Sequence, residues 1–567
     1  MINQEIATIF YETADILDMQ GVQWKPNAFR KAAREIESLE KDITEIYKIN
    51  GLKSLLELPG IGINIGEKIE EYIKTGKMKS FEQLKKTIPK GVEQLLHIPS
   101  LGPKKVWYLV KKARIHSLAD LKKAITQKKI QKLPGFGEKS ESEILKGISL
   151  LEQGSDKKAI YQVLPLALEI KNYIEKVKGV KKVEIAGSLR RMKEIVRDVD
   201  ILATSDNPER IMDAFTTMNG VTRILAKGET KSTVMFGDIQ ADVRVLKPEL
   251  FGAALQYFTG SKEHNVELRK IAIKKGLKLS EYGLLTNKGK IVAANDEETI
   301  YNKLGLQYIP AQLRELSGEI EAAAKNKIPK LVQLSEIKGD LHMHTTASDG
   351  IHSIKNMADA AEKRKYEYIA ITDHSKSQYI AHGLDEKRLA NHLKEIEKIR
   401  KQSSIHIFKG AEVDILSNGQ LDYNNNILKQ LDIVIASIHS GFKTDKEKMT
   451  NRICAALQNP YVKILAHPTG RIVLKRDPYD VDLDKVFQTA KERGIALEIN
   501  CARLDLRDIY IRKAIQSGCK LIIDTDAHST DQLSLMQYGI GIAQRGWAES
   551  KHIINTMPLK RFEQWLK

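Results

Sequence analysis

The sequence predicts a multidomain protein in three parts: a helical N-terminal region, an α+β core and a C-terminal parallel β/α barrel. Three observations carry this reading. At 567 residues the chain is long enough for about three to five folding units of roughly 100–200 residues each. Up to about residue 150, apolar residues recur at three- and four-residue intervals with few β-branched runs, the helical period. From Lys182 the texture changes: VEIAG, VDILAT and IQADVRVL read as strands, separated by helical segments such as PERIMDAFTTM. After Gly339, YIAITDH, IHIFKGAEVDI, LDIVIASIHS, VKILAHP, IALEIN and CKLIIDTDAH alternate with amphipathic helical stretches.

Composition narrows the class. A hydrophobic content of 42% supplies several cores and excludes global disorder. The cysteines Cys454, Cys501 and Cys519 are too few for a disulfide framework, so a reducing compartment is expected. The start, MINQEIATIFYETADILDMQ, does not read as a secretory signal, and no run reaches the roughly 18 apolar residues of a membrane span. A cytoplasmic monomer without a membrane partner is expected. Lys+Arg 91 against Asp+Glu 73 leaves +18, with a pI near 9.3; such a balance marks a polyanion partner. The excess concentrates between Leu101 and Lys132, where ten basic residues face one acid, Asp120.

In the N-terminal region LPGIG (58–62), IPSLG (98–102) and LPGFG (133–137) repeat one form. An apolar residue, Pro, a small residue, an apolar residue and Gly precede a lysine-bearing helix. Gly60, Gly62, Gly102, Gly135 and Gly137 allow a tight backbone, and the next helix offers unpaired N–H groups to a phosphate oxygen, with Lys104 and Lys105 close by. The repeats resemble helix-hairpin-helix motifs, which hold nucleic-acid backbones, often with a monovalent cation at the hairpin.

In the middle, Gly187-Ser188-Leu189-Arg190-Arg191 is followed by Asp198-Val199-Asp200 and later by Asp242 in IQADVRVL. Alternate strand residues share a face, so Asp198 and Asp200 project together and a neighbouring strand can add Asp242. Three clustered carboxylates repel unless cations join them; a pair of Mg²⁺ ions suits attack by a 3′-hydroxyl and departure of pyrophosphate. Gly187 and Ser188 offer backbone and hydroxyl donors, and Arg191 a charge-assisted grip, to a triphosphate. The cluster resembles the nucleotidyltransferase fold.

The first 315 residues resemble a family X DNA polymerase, the group that includes polymerase beta. The segment YFTGSKEHNVELR (257–269) is similar to the family's thumb, as are EYGLL and LGLQYIPAQLRE further on. The resemblance implies that Tyr257 and Phe258, before Gly260, screen the sugar, that Asn265 contacts the incoming nucleotide and that Arg269 lies near the template. Arg197 stands where the family commonly has Gly. LPGIGINIGEKI resembles the family's 5′-deoxyribose phosphate lyase segment, which maps the Schiff-base lysine onto Lys68, with Asn64 where the family has a second lysine. A DNA-contacting role for Lys68 stays open. Lys25, Lys31 and the stretch Asn27 to Arg30 would approach a 5′-phosphate at a gap.

Of 14 histidines, three (His97, His116, His264) precede residue 340 and eleven follow. In DLHMHTTASDG, His342 and His344 share a strand face, with Asp349 beyond. His374, Glu412, His439, His467, Asp526 and His528 then lie at or near strand ends. Parallel strands would bring these nine groups to one rim, where a β/α barrel places its chemistry. Mixed imidazole and carboxylate ligation suits Zn²⁺, Mn²⁺ or Fe²⁺ rather than Mg²⁺, and nine ligands suffice for two or three ions. The pattern resembles the PHP (polymerase and histidinol phosphatase) family, a distorted seven-stranded β/α barrel with a trinuclear site. His382 and Arg503 could reach a substrate phosphate or be solvated; His352, His392, His406 and His552 are expected at the surface.

The expected order is a lyase-like helix-hairpin-helix domain (1–85), a second such subdomain (86–150), palm (151–245), thumb (246–315), linker (316–336) and PHP domain (337–567). This order matches the bacterial and archaeal family X DNA polymerases. It implies gap filling on primer-template DNA with dNTPs and a Mn²⁺-dependent 3′–5′ exonuclease; the other reading is a DNA-tethered PHP nuclease with an inactive or minor polymerase core.

Overall fold

The structure is a computed structural model and describes residues 2–39, 43–58, 60–89, 91–96, 98, 101–137, 140–141, 143–145, 148 and 157–567. Pro59, His97, Pro99, Ser100 and the boundary expected at 150/151 lie outside the described residues. Two compact units divide the chain: Met1–Asp156 with the segments Ser377–Ala381 and His439–Lys443, and Lys157–Lys376 with His382–Ile438 and Thr444–Lys567.

The part of the first unit before residue 150 is built of helices and short turns among its described residues, as its apolar period predicts. Ile6, Phe10 and Ala14 of Ile2–Met19 are buried with Phe29, Ala33 and Ile36 of Lys25–Ser38, and Phe10 meets Phe29 edge-on at 5.3 Å. The three repeats share one backbone pattern. Ile61, Leu101 and Phe136 donate N–H to Leu58, Ile98 and Leu133 at 3.1, 2.9 and 3.0 Å, and Gly62, Gly102 and Gly137 accept from Gly66, Val106 and Glu141. Gly60 and Gly135 take φ of +82° and +81°, which glycine adopts without steric cost.

The second unit begins with a five-stranded sheet. Its strands are β1 (Val180–Ile185), β2 (Asp198–Ser205), β3 (Val221–Lys227), β4 (Lys231–Phe236) and β5 (Ile239–Leu246), in the order β1-β2-β5-β4-β3. Only the β2–β5 pairing is parallel. In β5, Ile239, Ala241, Val243 and Val245 are buried while Gln240, Asp242 and Arg244 face the other way, the period of two that the sequence shows. The thumb has helices Phe251–Thr259 and Lys262–Lys274 and a small antiparallel sheet, Leu277–Ser280, Gly283–Thr286 and Ile291–Ala293. The charged segment over 316–336 is α-helical only at Glu319–Ala324, with a 3-10 turn at Leu334–Glu336; Ile320, Ala323 and Leu331 seat it in the thumb core.

Seven parallel strands follow, each paired with the next: β6 (Gly339–Asp340), β7 (Tyr368–Ile371), β8 (His406–Asp414), β9 (Ile433–Ser437), β10 (Val462–Leu465), β11 (Ala496–Asn500) and β12 (Lys520–Asp524). A parallel bridge between Met343 and Ala527, just beyond the first strand and the last, draws the two edges together and nearly closes the barrel. The C-terminal helix Leu559–Leu566 packs on the barrel core, Phe562 stacking on Tyr368 at 4.6 Å. No helix among the described residues is long and apolar enough to cross a membrane.

Candidate active and metal sites

The parallel pairing of β2 with β5 puts Asp198 opposite Gln240 and Asp200 opposite Asp242. Register partners on adjacent strands project from the same face, so the structure brings the three carboxylates together. Burial, and then the charges of Asp198 and Asp242, push the Asp200 carboxyl up to about 6; burial and Asp242 raise Asp198 as well. Lys231 Nζ lies 2.8 Å from Asp242 Oδ2, and Gln240 Nε2 donates to Asp242 Oδ1 at 3.3 Å. A crowded set of like charges with, among the described residues, one lysine in salt-bridge contact is a donor set that fits hard divalent cations. Sequence reasoning had not singled out Lys231 or Gln240, although both flank the aspartates by strand alternation.

Gly187 opens the short helix Gly187–Arg190 at φ +61°, so close to Asp200 that a Cβ there would fall 2.4 Å from Oδ2. Ser188 is half-buried beside it. The two arginines that follow are engaged by acids. Arg190 makes two hydrogen bonds to Glu297, at 2.8 and 2.7 Å, and Glu297 also receives Arg314 at 2.6 Å. The guanidiniums outweigh the effect of burial and hold Glu297 down at about 2. Arg191 Nε donates to Glu315 at 2.8 Å and its Nη1 to the Thr259 carbonyl. Tyr257 and Phe258 pack edge-to-face at 5.1 Å, with the Arg244 guanidinium over the Phe258 ring. Asn265 donates to the Tyr257 carbonyl and accepts from Gln256, each at 2.7 Å; Arg269 is half-buried on the same helix and Gly260 ends the helix before it.

At the barrel mouth the eight expected groups that belong to the second unit meet. His344 Nε2 stands 3.3 Å from Asp526 Oδ1 and 3.6 Å from Glu412 Oε2, and His342 Nε2 3.4 Å from that same Glu412 oxygen. His374 Nδ1 lies 2.8 Å from Glu412 Oε2, His467 Nε2 3.0 Å from Glu412 Oε1, and His528 Nε2 3.3 Å from Asp349 Oδ2. Within the second unit, His344 with Asp349, His374 and His528, and His342 with His344 and Asp526, have ligand atoms close enough to share an ion. His439 comes two residues after β9 ends, in the segment His439–Lys443 that groups with the first unit. His342 Nε2, both ring nitrogens of His344 and Asp526 Oδ1 are buried without a hydrogen-bond partner. Such atoms in one pocket are costly unless a cation joins them, so the residues fit metal ions.

Two features there were not read from the sequence. Glu498 in the middle of β11 is fully buried; its Oε1 lies 2.5 Å from His342 Nδ1 and its Oε2 accepts the His467 N–H at 2.7 Å. Against the expectation of a surface residue, His392 is only 5% exposed, its Nε2 standing 2.9 Å from Asp373 Oδ2. The reason is the stripe Leu389, His392, Leu393 and Ile396, the buried face of Glu386–Arg400. His352, His406 and His552 are half-buried rather than exposed. Arg503 is held at 3.1 Å by Asp526 Oδ2, at the edge of the metal ligands, while His382 is exposed.

In the first unit, Lys25 and Lys31 are exposed, and the Lys31 side chain lies over Gly60. Lys68 is half-buried on Ile63–Thr75, whose N-cap is Gly62; Gly102 caps Pro103–Ala113 in the same way. Lys104 is exposed and Lys105 Nζ sits over the Phe136 ring of the third repeat. Arg30 is paired with Asp15 and Asp18 and Phe29 is buried, so that face of the helix is structural.

A carboxylate-bearing palm with a thumb, preceded by hairpin repeats and followed by a histidine-lined parallel barrel, defines a two-site architecture whose barrel carries clusters suited to metal ions. Family comparison agrees part by part: a helix-hairpin-helix domain matches residues 1–78, a SAM-like helix-hairpin-helix tandem 92–149, the DNA polymerase beta thumb 254–315 and the PHP domain 340–502. The chain is 38% identical to the DNA polymerase/3′-5′ exonuclease PolX of Bacillus subtilis (strain 168), over 100% of both chains. It is 31% identical to a probable phosphatase of Thermoanaerobacter sp. (strain X514), across 40% of this chain and 94% of that one. A probable phosphatase of Caldanaerobacter subterraneus subsp. tengcongensis is 34% identical across 33% of this chain and 75% of its own. The chain belongs to the PolX family, the family X DNA polymerases with a C-terminal PHP domain.

Proposed function

We propose that the chain is a DNA polymerase of family X with 3′–5′ exonuclease activity, adding dNTPs at short gaps in primer-template DNA and trimming 3′ ends in its PHP barrel. The register pairing of Asp200 with Asp242 supports this reading most directly, because three carboxylates on one sheet face serve nucleotidyl transfer. Asp198, Asp200 and Asp242 would hold two Mg²⁺ ions, which when bound favour attack by the 3′-hydroxyl and stabilise the departing pyrophosphate. Gly187 and Ser188 would take the triphosphate with backbone and hydroxyl donors, Arg191 would add charge, and Tyr257, Phe258 and Asn265 would line the sugar side. The hairpin turns, with Lys25, Lys31, Lys104 and Lys105, would grip the DNA backbone without reading its sequence, and Arg269 would lie along the template.

The barrel ligands, with His439 among them, would hold two or three Mn²⁺ or Zn²⁺ ions, which activate water toward a phosphoester. Arg503, beside the ligands, would meet the phosphate's charge. Lys68 is the residue proposed for a 5′-deoxyribose phosphate lyase step, and the protein is proposed to act as a cytoplasmic monomer, its domains bounded as the sequence suggests. The test is primer extension and 3′ trimming on gapped DNA. Asp200→Ala should abolish addition and spare trimming, and His342→Ala should do the reverse; loss of both activities in either folded variant would contradict the division.

A further inference from the structure

Between the nucleotide turn Gly187–Arg190 and Asp198 runs the short segment Arg191–Glu194, and the barrel holds it at three points. The Arg545 Nη1, at the end of helix Met536–Arg545, donates to the Arg191 carbonyl and to Glu315 Oε1, each at 3.0 Å, while its Nη2 grips Asp508. Met192 packs so closely on Gly541 of that helix that a Cβ there would meet its side chain at 2.4 Å. Arg471 Nη2 pairs with Glu194, both side chains nearly buried at 9% and 13% exposure. Arg471 lies in the turn that follows His467, whose carbonyl accepts the Gly470 N–H. Met192 has φ +54°, a left-handed conformation that a side chain of this size keeps only when its surroundings impose it.

We propose that Arg545 and Arg471 of the PHP domain are positioning residues for nucleotide addition in the palm. This rests on the reading that the Gly187–Arg191 turn takes the triphosphate. Glu315 is shared by Arg191, Lys193 and Arg545. Without Arg545 its carboxylate would bind Arg191 more tightly, holding back the guanidinium that a triphosphate must recruit. Arg471, through Glu194, fixes the far end of the same segment and connects it to the loop that carries His467.

The test uses the full-length protein, with single-nucleotide gap filling, Mn²⁺-dependent 3′ trimming and a thermal melt on each variant. Arg545→Met should raise the dNTP KM about tenfold, with kcat and trimming within about twofold, and Arg545→Lys should recover most of the loss. Glu194→Arg should raise KM similarly, and adding Arg471→Glu should restore it. Unchanged KM values overturn the proposal. So does a parallel fall of both activities and of melting temperature that neither Arg545→Lys nor the charge swap repairs, because that marks packing alone. A wild-type protein that adds no nucleotide refutes the polymerase reading first, and the inference falls with it.

Discussion

Glu498 joins two metal-site segments through one carboxylate, its Oε1 2.5 Å from His342 Nδ1 and its Oε2 accepting the backbone N–H of His467 at 2.7 Å. A partner on the far nitrogen fixes the tautomer and tilt of a ligating imidazole. Burial alone would lower the His342 pKa, but Glu498, then Glu412 and Asp526, raise it well above the usual range; the same negative charges favour a cation on this imidazole. Glu498→Gln keeps the shape and removes the charge. The midpoint of a Mn²⁺ titration of 3′ trimming should rise about 10–100-fold, with the rate recovered at saturating metal and gap filling unaltered. An unshifted midpoint would remove Glu498 from the site's support.

Gly187 has no room for a side chain, because an added Cβ meets Asp200 Oδ2 at 2.4 Å and the residue sits at φ +61°. Gly187→Ala must therefore displace the carboxylate or the turn, at a cost of about 1–3 kcal/mol. Gap filling should fall by at least about 100-fold while trimming stays within about twofold. Retained gap filling would show that the turn can move away from Asp200 without consequence.

The Asp200 carboxyl, raised to about 6 by burial and by its two neighbours, makes stability depend on pH in a defined sense. Its folded pKa lies above the unfolded value, so the folded protein binds the proton more tightly; stability falls as pH climbs from about 4 to about 6 and stays lowered above. In EDTA, Asp200→Asn should stabilise the protein at pH 7.5 by about 1–2 kcal/mol, a figure reduced for access of water to the site, and change little at pH 4. Denaturant melts at the two pH values read this directly. A destabilising effect at pH 7.5 would mean that Lys231 already compensates the trio.

Much of this was legible because period-two alternation is local. DVD and IQADVRVL each reveal which residues share a face, and polar residues after apolar runs mark the barrel's rim. That β2 and β5 are neighbours, and in the register that pairs Asp200 with Asp242, is a tertiary fact no local pattern encodes. Glu498 escaped because a lone acid in IALEIN looks like any strand residue until a histidine 156 positions earlier folds against it. The sequence offers Arg191 as a grip on a triphosphate and hides its partner, Glu315, because that acid is 124 positions away. His392 is different: its place in the apolar stripe of Glu386–Arg400 was visible in the sequence, and the charged residues around it hid the period.

That buried histidine supports the turn between two of the candidate metal ligands, His344 and Asp349. Asp373 accepts the N–H groups of Thr345 and Ser348 at 2.8 and 3.2 Å and their hydroxyls at 2.8 and 2.5 Å, and His392 Nε2 completes its surroundings at 2.9 Å. Burial opposes ionisation, yet His392 and these donors hold the Asp373 carboxyl far below the usual range. Its contribution is thus present above the unfolded pKa near 4 and is lost only in strong acid. Depriving a buried carboxylate of a polar neighbour costs about 1–3 kcal/mol, and because four donors from Thr345 and Ser348 remain on Asp373 we expect about 1–2 kcal/mol for His392→Ala. The loosened Thr345–Ser348 turn should displace Asp349 and raise the Mn²⁺ requirement for trimming, with gap filling by folded protein within about twofold of wild type. His392→Gln, which keeps a polar group beside Asp373, should lie between the two. If His392→Ala melts like the wild type and trims at the same metal concentration, the Asp373 carboxylate holds the turn without the imidazole.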